Sequence, residues 1–132
     1  MSERSDKAVE LKHDKCNCAQ AVALAFNDIT DIDDDIIFRI TQAFGGGLGG
    51  MDGHCGALSG AAAIIGLVYD DKKTTMMKIR NISDAFKNRN GTLICNELKG
   101  IDTGEALRSC DDCVRDVSEF LERELVDICK EL

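Results

Sequence analysis

The stretch Gly45–Gly60, "GGGLGGMDGHCGALSG", decides how the chain is read. It carries a literal G-x-G-x-x-G in Gly45, Gly47 and Gly50. Between a strand and a helix, that pattern cradles the pyrophosphate of a dinucleotide. The residues before it here read otherwise. Ile36, Ile37, Ile40, Ala43 and Phe44 recur at helical spacing, so a helix leads into the glycines. No alternating β-branched run is present to build a sheet. No Gly-Lys-Ser/Thr follows, as a phosphate loop requires. The motif is therefore not a nucleotide site, and the chain is all-α. The loop still spends six glycines between Gly45 and Gly53, and a cysteine stands just beyond them.

Downstream of the loop, Cys55–Val68 is an apolar run of 14 residues. A membrane span needs ~20, so the run reads as a buried helix. Asp52 is its expected cap and Tyr69 its expected end. It is apolar nearly all round and should be the central, most buried element. Gly56 and Gly60, with Ala57 and Ala61, place small residues four apart, which lets a neighbouring backbone come close. Upstream, Val9, Leu11, Cys18, Ala21, Val22, Ala25 and Phe26 share one face, predicting a helix from about Asp6 to Asn27. Another starts near Asp33, with acidic residues at its positive end. After the central helix, Met76, Met77, Ile79, Ile82, Ala85 and Phe86 predict a helix over about Lys73 to Asn88, ended by Asn90-Gly91. "TLICNELKG" is a short helical turn carrying Cys95. The last helix is expected from near Thr103, on the stripe Leu107, Cys110, Val114, Val117, Leu121, Leu125 and Ile128. The sum, over residues 1–132, is a compact single-domain all-α bundle of four long helices plus a short helical segment, with the glycine-rich loop before the buried central helix.

A net charge of −8 argues against nucleic-acid binding, which needs clustered Lys and Arg. The charged start "MSERSDKAVELKHDK" is neither a signal peptide nor a lipidation site, so a cytoplasmic protein is expected. Seven cysteines are many for that compartment. There they point to metal ligands or redox-active thiols rather than structural staples. No paired-carboxylate, Ser-His-Asp or H-E-x-x-H constellation gives hydrolysis an anchor, and whether the chain is an enzyme stays open.

Cys55 stands at a helix N-terminus, where free N–H groups and the dipole favour a thiolate. The glycines before it leave the backbone open, so further N–H groups can turn towards the sulfur. Cys18, Cys95 and Cys110 can each point inward, and with Cys55 they come from four separate segments. The wide spacing argues against a zinc finger, which uses tight C-x₂₋₄-C pairs. In Cys110-x-x-Cys113, Cys113 is an alternative ligand to Cys110 or a resolving thiol. Val114 stands where a haem-attachment motif needs His, so no covalent haem is expected. Cys16 and Cys129 read as incidental. His54 reads as a helix-terminal polar residue before a ligand or base, His13 as a surface residue, and "DIDDD" as a solvated run.

"NCAQAVALAF", "FGGGLGG…CGALSG", "CNELKG" and the final cysteine of "CDDCV" resemble the redox-active proteins named for their C_GCAxxG_C_C pattern. The resemblance runs from about Cys18 to the last helix and places the family's four cysteines at Cys18, Cys55, Cys95 and Cys110, with Val114 completing the last motif. Cys113 is an addition to that pattern. A related type, split-Soret cytochrome c, is associated with an iron–sulfur centre, so the resemblance implies a cluster or metal held by the four cysteines.

Three functions compete. The first is electron transfer by an iron–sulfur cluster, most simply two-iron, on Cys18, Cys55, Cys95 and Cys110. The second is metal-free thiol–disulfide chemistry, with Cys55 attacking and Cys18, Cys95 or Cys110 resolving. The third is a structural zinc on the four cysteines in a non-catalytic module. The redox partner and oligomeric state have no signature in the sequence.

Overall fold

The computed structural model describes residues 2–129. Eight α-helices follow one another in these residues: α1 Glu3–Asp14, α2 Cys18–Ala25, α3 Asp34–Ile40, α4 Gly56–Val68, α5 Lys72–Asn90, α6 Cys95–Lys99, α7 Cys110–Glu124 and α8 Val126–Cys129. Among the described residues no strand forms. The fold is all-α, as the periodicity requires. α2 packs most closely on α4, α1 on α7 and α2, and α7 closes against α4 and α5. Phe26, Ile37, Ile64, Ile65, Ile82, Phe86, Val114, Val117 and Leu121 fill the space between them and are almost wholly buried.

The expected first helix is two. Asn17 breaks it by a reciprocal cap, its side chain accepting from Gln20 N–H and the Gln20 side chain accepting from Asn17 N–H, both at 2.9 Å. This box satisfies N–H groups that a continuing helix would otherwise bond. Cys18 thereby becomes the first residue of α2. The last helix also begins later than expected, at Cys110. Ser109 caps it by accepting from Asp112 N–H at 3.1 Å. The preceding residues are held as turns, with Leu107 and Arg108 N–H both donating to Leu98 O. Leu107 is 57% exposed and leaves the expected stripe.

α4 opens with Cys55, not Asp52, at its cap position. Asp52 is exposed and lies before an extended segment. That segment pairs with the one leading into α6: Cys55 N–H donates to Leu93 O at 2.7 Å, and Cys95 N–H to Gly53 O at 3.0 Å. His54 and Ile94 form an isolated antiparallel bridge between them. α4 is not buried all round, because Ala62, Gly66 and Leu67 are exposed. Among α3 and α5 residues expected to face inward, Ile36, Ile40, Met76 and Met77 are exposed. Short α3 turns only Ile37 fully inward.

Two glycines are required by close approach. A Cβ at Gly60 would lie 2.4 Å from Ala19 O, so α2 can sit on α4 only because none is there. Gly47 has φ +58°, and a Cβ there would lie 2.6 Å from the Cβ of Cys95. The loop is wound rather than loose, since Gly53 N–H closes back on Gly47 O at 3.0 Å. Leu48 and Met51 adopt positive φ within it, a conformation costing roughly 1–2 kcal/mol for a residue with a Cβ.

Candidate functional site

Five cysteines meet at one enclosed cavity: Cys18, Cys55, Cys95, Cys110 and Cys113. Each arrives by a local rule already described. The Asn17 cap starts α2 at Cys18. The paired segments set Cys55 and Cys95 side by side. The Ser109 cap starts α7 at Cys110, and Cys113 follows three residues later on a neighbouring face. Leu98, Lys99 and Arg108 complete the wall. All five thiols are free. The cavity encloses about 10 Å³, at the lower limit for one water molecule.

The thiols form two pairs. Cys18 and Cys110 shift each other's ionisation most strongly, as do Cys55 and Cys113. In the first pair Cys110 is the lowered member. The Cys18 thiol lowers its pKa to about 5, against burial, with the nearby Lys99 ammonium and Lys12 adding to the effect. Cys18 is pushed up by that same pairing and by burial. In the second pair Cys55 is the lowered member. The pairing with Cys113 favours its thiolate, burial opposes it, and the N–H groups of Ala57 and Leu58 assist. Those N–H groups belong to the first turn of α4, where no side chain caps them and the Leu58 N–H also donates to Cys55 O at 3.0 Å. Cys113 is raised by its pairing with Cys55 and by burial. Cys95 is raised by burial, with Lys99 pulling the other way.

Exposure separates the pairs. Cys110 is half-buried, whereas Cys55 and Cys113 are 5% and 2% exposed. The outer pair is thus Cys18–Cys110 and the inner pair Cys55–Cys113.

Two cations at this cavity were not read from the sequence. Lys99 has a raised pKa: burial disfavours its charge, but Cys110 and Cys95 outweigh that. Arg108 is fixed by buried Asp116, its Nε and Nη2 donating to the carboxylate at 3.0 and 2.8 Å. Arg89 and Asn90 donate to the same carboxylate at 2.9 and 3.2 Å. "ELKG" does offer a lysine four residues after Cys95, but nothing in its spacing announces an approach to Cys110.

The remaining candidates lie elsewhere. Cys16 sits in the turn between α1 and α2, and Cys129 in α8 beside Arg4. His54 Nε2 and Ser59 Oγ share a hydrogen bond of 2.6 Å. They line a separate, open cavity of about 470 Å³ with Phe44, Leu58, Ile79 and Leu93. No cysteine lines that larger cavity, so the thiol chemistry belongs to the smaller one. His13 Nε2 pairs with Asp111 at the surface, 2.7 Å away.

Residues 16–124 match the sequence family described as "Putative redox-active protein (C_GCAxxG_C_C)". The chain belongs to the C_GCAxxG_C_C family. No curated protein and no solved structure matches it. In this C_GCAxxG_C_C protein the cavity gathers Cys18, Cys55, Cys95 and Cys110 together with Cys113.

A metal centre can be set against this packing. Thiolate is the donor that zinc and iron–sulfur clusters take, so the donor chemistry fits. The space is tight, because the cavity that the cysteines line with Leu98, Lys99 and Arg108 holds only about 10 Å³. Among the described residues, no three His, Cys, Asp or Glu side chains are placed to share one ion. No described helix is long and apolar enough to cross a membrane.

Proposed function

We propose that this C_GCAxxG_C_C protein is a cytoplasmic thiol–disulfide redox protein whose working couple is Cys18 and Cys110. One observation carries the reading: half-buried Cys110 shares a small cavity with buried Cys18 and with Lys99, surroundings that favour its thiolate. A nucleophile needs thiolate character and access, and Cys110 has both. Cys55, the attacking residue expected from helix position, has thiolate character but little access. With a small disulfide RSSR, the Cys110 thiolate attacks one sulfur and expels RS⁻. Cys18 gives up its proton and attacks the Cys110 sulfur of the mixed disulfide, expelling the second RS⁻. Two thiols become one disulfide, and RSSR becomes two thiols.

Protein purified anaerobically and equilibrated across glutathione buffers should gain and lose a Cys18–Cys110 disulfide reversibly, read by alkylation and peptide mass. Cys110→Ser should abolish that couple. Absence of the linkage at every buffer ratio overturns the reading.

An iron–sulfur cluster is the second reading. The convergence of five cysteines on one cavity favours it, since a two-iron cluster takes four thiolates. Cys18, Cys55, Cys95 and Cys110 would hold it, with Cys113 as the alternative to Cys110, and the sulfurs would have to spread from their present spacing. Iron and sulfide analysis with an absorption spectrum on anaerobic protein separates the readings, and bound zinc would appear in the same measurement.

A further inference from the structure

The outer couple leaves Cys55 and Cys113 unused. They line the same cavity as Cys18 and Cys110 and are buried, at 5% and 2% exposed. α7 carries one member of each pair, one helical turn apart, while α2 and the cap of α4 supply the others. A small disulfide in solution can meet Cys110 but not the inner thiols.

We propose that Cys55 and Cys113 are a second redox couple, oxidised from within by the Cys18–Cys110 disulfide rather than by the external reactant. This rests on the thiol–disulfide reading of the outer pair and adds to it a buried store of two further electrons.

The exchange is balanced. The Cys55 thiolate attacks the Cys110 sulfur of the outer disulfide, forming a Cys55–Cys110 bond and releasing Cys18 as thiolate. Cys113 passes its proton to Cys18 and attacks the Cys55 sulfur. Cys110 leaves as thiolate. The products are a Cys55–Cys113 disulfide, the Cys18 thiol and the Cys110 thiolate. Charge and protons are conserved, and the outer pair is ready for a second RSSR. Cys95, whose thiol is disfavoured from ionising by burial, takes no part.

The test uses the full chain, fully reduced, with glutathione disulfide as the only oxidant. Samples are acid-quenched, alkylated and mapped by peptide mass over time. The wild type should consume about two equivalents, with the Cys18–Cys110 link appearing first and the Cys55–Cys113 link after it. Cys113→Ser should stop after about one equivalent. Cys110→Ser should slow formation of the inner link by about tenfold or more. The wild-type time course decides the matter even if a variant fails to fold. An outer disulfide that forms while Cys55 and Cys113 stay reduced overturns the proposal and leaves the function of the outer pair standing. An inner link formed at the wild-type rate in Cys110→Ser overturns the relay. If the outer link itself never forms, the underlying reading has failed instead.

Discussion

Cys110 shows how one residue acquires its chemistry from three neighbours. The Cys18 thiol on α2 favours its thiolate, Lys99 on α6 and Lys12 on α1 supply positive charge, and together they outweigh the opposing effect of burial. The thiolate should therefore alkylate with a half-point near pH 5, read with iodoacetamide on native protein, and Lys99→Met should move that point upward. The same lowering links ionisation to stability. Cys110 titrates near 9.0 ordinarily and near 5 in the fold. Its contribution is complete above pH 9 and is lost as pH falls through 5. Urea titrations should accordingly show a larger gap between the wild type and Cys110→Ser at pH 8 than at pH 5. Cys18 works in the opposite sense, since its pKa is raised, and what it adds fades only above pH 9.

At the scale of elements, the helices are placed by short polar signals and by the absence of side chains. Gly60→Ala would drive a methyl group to 2.4 Å from Ala19 O. It should cost about 1–3 kcal/mol in urea unfolding, the usual penalty of overpacking. Asn17→Ala removes a reciprocal cap and a hydrogen bond donated to Gln42 O, and should cost about 1 kcal/mol by the same measurement. These elements also show what could be read beforehand. The glycine loop was legible as a non-nucleotide feature because Ile36, Ile37 and Ile40 keep helical spacing before it. The end of α5 at Asn90-Gly91 and of α6 at Gly100 were legible because αL glycine is a strong stop signal. The breaks at Asn17 and Ser109 were written as caps but masked by apolar stripes running through them. Cys113 was underweighted for a related reason. Residues at i and i+3 share a stripe, and only the rotation of α7 decides which is buried deeper.

For the whole molecule, Asp116 is the deepest fixed charge. Burial opposes its ionisation, but donors from Arg108, Asn90 and Arg89 outweigh that and hold its pKa below 3.8. It ties α7 to α5 and to the turns before α7. Asp116→Ala removes the acceptor of hydrogen bonds from Arg89, Asn90 and Arg108 and should destabilise by about 1–3 kcal/mol, seen as a lowered urea midpoint. The wild-type contribution is complete above pH 3.8 and lost as pH falls below it, so the deficit of the variant should narrow only in strong acid. No spacing in the sequence joins Arg89, Asn90, Arg108 and Asp116, because three elements must be packed before they meet.

The bridge between His54 and Ile94 has a mechanical consequence. Cys55 and Cys95 are set in backbone that is bonded across at Leu93 and Gly53, so that half of the cluster is an anvil. Cys110 and Cys113 ride on the leading turn of α7, which is steadied from outside by Lys12 and His13 gripping Asp111. One side of the cluster is therefore held by main-chain hydrogen bonds and the other by exposed ion pairs, so dissolved salt loosens the second and leaves the first alone.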